Sequence, residues 1–444
     1  MFDSFFPTNR FYFKFGGKII TVHLYFWSAI LWALGTILLW YGPFILPSLR
    51  TSGEIFSLGG LFGMGFPPEL GTDAGEDATA VFNEAQGWAQ SFWLYQYVIS
   101  CYVLFAGVWM YVANHKWSRW SIGGSALIIF VTWFQVQIDV FFNEWYRDFF
   151  DLIQVALAEP NSVSLSEYYG QLATFLWVAL PYVILVVLKL FFTSHFVFRW
   201  RTAMHERYTN MWEQVRDIEG ASQRIQEDTQ RFAGIMQGLG VSIIDSVMTL
   251  IAFLPILWGL SEFVSEVPII GETAQALVII AILWSVFGTG LIALAGYRLP
   301  GLEFRNQRVE ASYRKELVLG EDFADRATPL TIEELFGNVR KNYFRLYLEY
   351  TYFNVIRITY LQIGNLIPFF ALGPTIIAGA ITFGVMQQIL NAFGRVENSF
   401  QFLVNSWPTI IDLISIHKRL AAFEAEIEGR RLAAIEAEDI NRAI

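Results

Sequence analysis

Eight stretches of this sequence stay apolar for about 20 residues or more, which is the length a helix needs to cross a bilayer. They cover approximately residues 20–46, 92–113, 123–142, 173–196, 241–260, 274–299, 347–371 and 374–393. Because a bilayer offers no water to unpaired backbone groups, such segments fold as helices packed against one another. The sequence therefore predicts an all-α protein, a polytopic membrane helix bundle with about eight transmembrane helices.

The composition excludes several classes of protein. Only 16% of the 444 residues are charged, whereas a soluble chain carries about 25%. The net charge of −10 argues against nucleic acid as a partner, since binding to phosphates needs clustered cations. A single cysteine, Cys101, excludes internal disulfides and cysteine-rich metal sites. The sequence contains neither the nucleotide-binding motif G-x-x-x-x-G-K-[ST] nor the zinc motif H-E-x-x-H, so we expect no enzyme, no cofactor and no metal.

The segments between the apolar stretches alternate in charge, and this alternation predicts the orientation. Lys and Arg concentrate before the first stretch, between the second and third, after the fourth and after the sixth. The intervening segments are mostly acidic. Lys and Arg are retained on the cytoplasmic side of a membrane. Both termini, including the tail 426–444, are therefore expected in the cytoplasm.

The polar segments also predict the domain organisation. Residues 1–121 hold the first spans and an outside loop at 47–91, and residues 122–425 form the transmembrane core. Within the core, residues 196–240 and 300–346 are polar but rich in helix formers, so we expect them to extend the spans as long cytoplasmic helices. Helices that project this far are typical of an exporter-like bundle rather than a compact channel.

Several acidic residues on the expected cytoplasmic helices have helical spacing. Glu303, Glu310 and Glu321 are separated by 7 and 11 residues, so an unbroken helix would place them on one face. A row of carboxylates on one face can hold and pass protons. The alternative is a solvated face with ion pairs, because Glu227 and Arg231 have the favourable i,i+4 spacing. Spacing alone leaves both interpretations open.

Ionisable residues inside the apolar stretches are a second set of candidates. Asp139 ends the polar segment Gln135–Asp139 of the third stretch, and Asp245 lies near the start of the fifth. A charged side chain inside a bilayer is costly and normally faces the bundle interior or a wet cavity, which makes it a functional candidate. A structural ion pair is the alternative for each residue.

Several segments taken together resemble one known family. They are Met1–Pro7, Ala126–Phe134, His195–Met204, Ile218–Thr229, Leu299–Ala311, Arg314–Val318, Gly320–Asp322 and Arg340–Tyr347. They resemble the SbmA/BacA family of bacterial inner-membrane peptide transporters, and the resemblance is dense over about residues 90–425 and looser at the start of the chain. It implies a homodimer whose fold looks like the membrane half of an ABC exporter, without a nucleotide-binding domain.

The resemblance also implies which residues couple transport to protons. The acidic cavity residues implied by motif match are Glu227, Glu310 and Glu321, with Glu219 and Glu303 as further candidates. The chain departs from the family at two positions, because Gln137 and Gln237 stand where members have Glu. Asp139 and Asp245 lie nearby and are the candidates to replace those carboxylates.

The resemblance implies a proton-gradient-driven importer of peptides and peptide-like antibiotics, which we expect to work by alternating access in the bacterial inner membrane. Its expected partners are cationic peptides, protons, membrane lipids and a second copy of the chain, with no nucleic acid. Two alternatives stay open. One is a membrane subunit that works with a separate ATPase, and the other is a non-transporting factor for envelope lipids.

Overall fold

The computed structural model describes residues 13–15, 18–20, 22–41, 53–68, 75–113, 116–216, 221–264, 267–268, 271, 273, 275–323 and 325–427. Near the N-terminus, strands β1 (Phe13–Phe15) and β2 (Lys18–Ile20) pair antiparallel. Helix α1 (Val22–Tyr41) follows them. A 3-10 turn (Leu58–Phe62) then comes before helix α2 (Glu76–Val112).

The middle of the chain forms long helices. They are α3 (Ser118–Ala158), α4 (Leu165–Asn210) and the short α5 (Trp212–Val215). Helix α6 begins with Ala221–Gln223, passes through a π-helical turn at Arg224–Asp228 and continues as Thr229–Leu260. A 3-10 turn (Ser261–Phe263) ends it.

The last part of the chain is also helical. Its helices are α7 (Ala276–Gly296), α8 (Leu299–Asp322), α9 (Pro329–Gly364), α10 (Ile367–Ile377), α11 (Phe383–Asn405) and α12 (Trp407–Ile427). Helix α9 starts where the Thr328 side chain accepts a hydrogen bond from the Thr331 amide at 3.4 Å. Pro329 fits the next position because its missing N–H would have no helical partner there.

Six helical segments of the described residues are long and apolar enough to cross a membrane. They are Ala78–Val112, Ser118–Ala158, Leu165–Asn210, Ala221–Phe263, Ala276–Glu303 and Pro329–Ile377. Each overlaps one of the predicted spans over most of its length, so the all-α polytopic membrane bundle is confirmed. The first predicted span corresponds to α1, whose apolar part, Trp27–Trp40, is shorter than the other six.

The eighth predicted span, 374–393, differs from the structure because it is not one helix. Helix α10 ends at Ile377, and α11 begins at Phe383. Gly379 lies between them with φ +65°, a conformation that glycine adopts without steric cost. Apolar composition runs through this turn, so hydropathy alone could not locate it. The sequence also predicts a turn near Glu219–Gly220 within the segment 196–240, and these two residues lie outside the described part of the chain.

The chain divides into two compact units. The first comprises residues 1–131, 192–221 and 421–444, and the second comprises residues 132–191 and 222–420. In the first unit, α1 packs along α2. The Trp120 ring of α3 contacts Phe192 and Phe196 of α4, and the Arg199 guanidinium lies 4.1 Å from the centre of the same ring.

The second unit contains the main apolar core. Helix α11 packs along α6 and α7, α7 packs along α9, and α9 packs along α8. The most buried large core side chains include Phe253, Leu257, Leu277, Leu372, Ile389 and Phe393. Lipid tails are as apolar as these side chains, so close packing and interhelical polar contacts hold such helices together.

Candidate functional site

Helix α11 has one apolar side and one polar side. The buried apolar side consists of Val385, Ile389, Ala392, Phe393 and Val396. The other side carries Gln387, Asn391, Arg395 and Asn398, which are half-buried or exposed. Among the described side chains of α11, Phe383 at its first residue is the one exposed large hydrophobic group. Polar side chains among membrane helices face the bundle interior or a water-filled cavity, so this polar face of α11 is suited to a wet passage.

Helix α4 shows the opposite pattern. Between residues 176 and 191 it exposes large apolar side chains: Leu176, Trp177, Leu180, Val183, Ile184, Val187, Leu188, Leu190 and Phe191. A surface of this kind suits lipid tails. Exposed positions in this chain are therefore not polar in general. The polar residues on the open side of α11 distinguish this helix from α4.

Arg395 on α11 holds Asp139 on α3 in an ion pair. Its Nη1 and Nη2 donate hydrogen bonds to the two carboxylate oxygens at 3.2 and 3.1 Å. The Asp139 side chain is 9% exposed and the Arg395 side chain is 49% exposed. The carboxylate is therefore buried, while the guanidinium reaches the polar face of α11. A carboxylate removed from water needs such a partner, since leaving it unpaired is strongly destabilising.

Lys189 on α4 and Asp245 on α6 belong to the same charged group. Lys189 Nζ donates to Gln135 Oε1 at 2.9 Å, and Gln135 Nε2 donates to the Tyr182 hydroxyl at 3.1 Å. Asp245 is near enough to Lys189 and to Asp139 for the charges to act on one another. We call Asp139, Lys189, Asp245 and Arg395 the charge cluster.

The charge cluster balances two carboxylates against two cations, and each of four helices contributes one member. Protonation of either carboxylate would leave a cation without its counter-charge. The gain of a proton would thus change which helices attract one another, and it would do so among membrane helices, where charges are costly. An arrangement of this kind can link proton binding to helix movement.

The acids of α8 share one helix face, as their spacing predicts. The helix runs from Leu299 to Asp322 without a break, through Gly320. Glu303 is half-buried and accepts a hydrogen bond from the Tyr350 hydroxyl at 2.9 Å. Glu310 is half-buried and Glu321 is exposed. Among the described residues, no hydrogen bond joins these three carboxylates to one another or to the charge cluster.

Glu227 lies in the π-helical turn of α6. Its carboxylate is 3.9 Å from Arg231 and accepts a hydrogen bond from Gln223 at 3.2 Å. Its side chain is 44% exposed. This is the ion pair on a solvated face that the sequence left open as the alternative. Glu219, the remaining acid implied by the resemblance, lies outside the described residues.

Arg395 was missed by the sequence analysis. The last predicted span ends at residue 393, so Arg395 lies outside it. No pattern in the sequence pairs Arg395 with Asp139, which is 256 positions away. A signal did exist. Gln387 and Asn391 precede Arg395 at intervals of four residues, which marks a polar stripe on an otherwise apolar helix.

Comparison with known proteins identifies the family. The model of the SbmA/BacA-like family matches residues 114–428. The chain belongs to this family. The match confirms the resemblance based on the sequence motifs. It also contains every member of the charge cluster and all the acids discussed above.

The relatives are ABC transporter ATP-binding proteins by name. One is an uncharacterized ABC transporter ATP-binding protein of Synechocystis, 27% identical over 253 residues, which are 55% of this chain and 36% of the relative. Another is the inner membrane ABC transporter ATP-binding protein YddA of Escherichia coli, 26% identical over 321 residues, 66% of this chain and 55% of the relative. A third, an uncharacterized ABC transporter ATP-binding protein of Haemophilus influenzae, is 24% identical over 52% of this chain and 42% of its own length.

The chain spans between about a third and just over half the length of these curated relatives. Together with the six apolar helices, the family match and the relatives' names support a multi-pass membrane protein of transporter type.

Proposed function

We propose that this protein imports peptides and peptide-like antibiotics across the bacterial inner membrane, driven by the proton gradient, as a homodimer with alternating access. The observation that carries the proposal is the ion pair between Asp139 and Arg395, together with Lys189 and Asp245, in a member of the SbmA/BacA-like family. Titratable groups of opposite sign on four helices provide what a proton-driven transporter needs, namely a proton-dependent contact between moving parts.

The mechanism begins with the ion pair closed. A proton that reaches Asp139 neutralises the carboxylate, so the hydrogen bonds from Arg395 lose their ionic component. The contact between α3 and α11 weakens, and the bundle opens on the other side. Release of the proton restores the pair and returns the bundle to its first state.

The energy available is sufficient for accumulation. A potential of 100 mV is worth about 2.3 kcal/mol for each charge moved. Because about 1.4 kcal/mol changes an equilibrium tenfold, one proton can support roughly fifty-fold accumulation of a neutral cargo.

The polar side chains of α11 are an argument for peptides as the transported substrate. Gln387, Asn391 and Asn398 carry amide groups that both donate and accept hydrogen bonds, as a peptide backbone does. The net charge of −10 favours cationic cargo through long-range attraction. We place both termini and the polar segments 196–240 and 300–346 on the cytoplasmic side, in keeping with their Lys and Arg content.

Uptake by purified protein in sealed proteoliposomes tests the proposal. A fluorescently labelled lysine-rich peptide should accumulate when the outside is made acidic, and a protonophore should abolish that accumulation. Empty liposomes and liposomes with denatured protein are the controls. Accumulation that persists after the protonophore has dissipated the gradient would contradict proton coupling.

A second function has a specific observation in its favour, because all three relatives described above are named as ATP-binding proteins. In that case the chain would work with an ATPase as partner. Membranes that contain the chain and cytosolic proteins should then take up the peptide when ATP is added in the presence of the protonophore. Uptake that needs the pH gradient and ignores ATP would favour the first proposal.

A further inference from the structure

Glu397 on α11 is an acidic residue within the helix bundle that does not belong to the charge cluster. Its Oε1 accepts hydrogen bonds from Trp284 Nε1 of α7 at 2.9 Å and from Gln401 Nε2 at 2.7 Å. Gln401 is 2% exposed and also donates to the Tyr360 hydroxyl of α9 at 2.9 Å. That hydroxyl donates to the main-chain oxygen of Trp284 at 3.2 Å. Helices α7, α9 and α11 therefore meet around one carboxylate.

Two glycines make room for this arrangement. A Cβ atom at Gly364 of α9 would lie 2.7 Å from Glu397 Oε1, and a Cβ at Gly288 of α7 would clash with the Tyr360 ring. The rings of Trp284 and Tyr360 stack with their centres 4.8 Å apart. Small residues let membrane helices approach closely, and here the close approach encloses one side of a carboxyl group.

The two oxygens of the Glu397 carboxylate have different surroundings. Oε1 accepts both hydrogen bonds. Oε2 has no hydrogen-bond partner among the described residues, and it is not among their fully enclosed unpaired atoms. Asn398, the next residue, is exposed on the polar face of α11. One oxygen is thus fixed by the helix packing, and the other is not fully enclosed by the described residues.

The surrounding helices do not neutralise Glu397 directly. Helix α9 contributes the Tyr360 hydroxyl. Its cation Arg357 donates a hydrogen bond to Asn405, further along α11, and not to Glu397. Helix α11 contributes Arg395 and helix α6 contributes Asp245, and both belong to the charge cluster. The sequence of α7, from Ala276 to Gly296, has no charged residue. Among the described residues, Glu397 has no ion pair, and a carboxylate in that condition among membrane helices is stabilised by taking up a proton.

We propose that Glu397 is a proton-binding residue of the transport cycle. Oε2 takes a proton from water on the polar face of α11 and returns it to water after the bundle has changed conformation. One O–H bond forms on loading and the same bond breaks on release, with no oxidation or reduction. This inference rests on the proposed proton-coupled import and adds a carrier outside the charge cluster.

Protonation of Glu397 also has a structural consequence. While the carboxylate is charged, the hydrogen bonds from Trp284 and Gln401 to Oε1 are charge-assisted, and they weaken when it becomes neutral. The contact between α11 and α7 therefore loosens on proton binding. Glu397 thus links the protonation state directly to helix packing.

Two transport measurements in proteoliposomes test the role. Glu397→Gln keeps an oxygen acceptor at this position but removes the titratable group. It should lose accumulation of the labelled lysine-rich peptide under an imposed pH gradient, down to the level without a gradient. Exchange of labelled for unlabelled peptide at equal pH, which needs no net proton movement, should continue. Glu334→Gln, at an exposed position of α9, is the matched control and should behave like the unsubstituted protein in both assays.

Infrared difference spectra between high and low pH test proton binding without any transport assay. The band of protonated carboxylic acids should grow at low pH, and the part of this band that comes from Glu397 should be missing from Glu397→Gln. Trp284→Phe keeps the carboxyl group of Glu397 and removes one of its two hydrogen-bond donors. The Glu397 part of the band should therefore remain in this variant, at a shifted frequency. The Trp284→Phe variant also tests proton binding by Glu397 if Glu397→Gln fails to fold.

The outcomes separate the two proposals. If the unsubstituted protein shows no gradient-driven uptake, proton-coupled import is wrong, whereas the infrared band alone decides whether Glu397 binds a proton. If uptake is gradient-driven but Glu397→Gln accumulates the peptide fully, the inference about Glu397 is overturned and the import proposal stands. The same holds if the low-pH carboxylic band of Glu397→Gln equals that of the unsubstituted protein.

Discussion

Arg419 of α12 holds the carboxylate of Asp228, 191 positions earlier, through hydrogen bonds from Nη2 at 2.8 Å and from Nε at 3.1 Å. The Asp228 side chain is 3% exposed and the Arg419 side chain is 34% exposed. Arg224 donates to the main-chain oxygen of Arg419 at 3.3 Å. The π-helical turn of α6 is thereby fixed to α12, near the C-terminal end of the second unit.

Replacement of Asp228 by Asn should destabilise the protein by about 3 kcal/mol, because removal of one partner from a buried ion pair leaves the other charge without compensation. Thermal unfolding in detergent micelles measures the change. The control is Asp412→Asn, since Asp412 pairs with Arg231 at 3.3 Å with both side chains more than 30% exposed. An exposed pair contributes about 0–1 kcal/mol. Equal shifts for the two variants would contradict this account.

Gly288→Ala should destabilise the protein by about 1–3 kcal/mol, because the added methyl group overlaps the Tyr360 ring in a packed interface. Gly290→Ala is the matched control on the same helix, because a Cβ there meets no atom within 4 Å. The control should leave stability unchanged or raise it, since Ala favours a helix over Gly by about 1 kcal/mol. Thermal unfolding with tryptophan fluorescence as the signal compares the two. Loss of stability in Gly290→Ala alone would show that the packing around Tyr360 is described wrongly.

The ion pair between Asp139 and Arg395 can be separated into a structural and a coupling role. Asp139→Asn and Arg395→Gln should each lower stability, since each leaves an unpaired charge. The double variant should regain much of that stability, because both charges are gone. It should still lack peptide accumulation under a pH gradient, because the titratable contact between α3 and α11 is gone. Recovery of both properties in the double variant would mean that the pair is only structural.

The polar face of α11 and the apolar face of α4 should react differently with a water-soluble, charged maleimide. In a Cys101→Ser background, Asn398→Cys should be labelled in membranes and Val187→Cys should not. The reaction needs a thiolate, which forms in water and not in lipid. Mass spectrometry of the protein after labelling measures both. Absence of labelling at Asn398→Cys would rule out a wet face on α11, and labelling of Val187→Cys would rule out a lipid-covered face on α4.

The membrane bundle and the family could both be predicted from the amino-acid pattern. Runs of about 20 apolar residues permit little other than a spanning helix, and six of them correspond to long helices of the structure. The common face of Glu303, Glu310 and Glu321 also followed from spacing, because the helix repeat is local. Asp139 and Asp245 could be named as candidates because a carboxylate within an apolar stretch stands out without any structure.

The partners of these residues could not be predicted, because they depend on how the helices pack. Asp139 and Arg395 are 256 positions apart, and an ion pair depends on where two helices lie side by side, which no local pattern encodes. Glu397 escaped notice for the same reason, since its environment is made by Trp284, Gly364 and Tyr360 from two other helices. The break at Gly379 is a backbone conformation inside apolar sequence. Hydropathy determines which segments enter a membrane, whereas packing determines which of their polar groups meet.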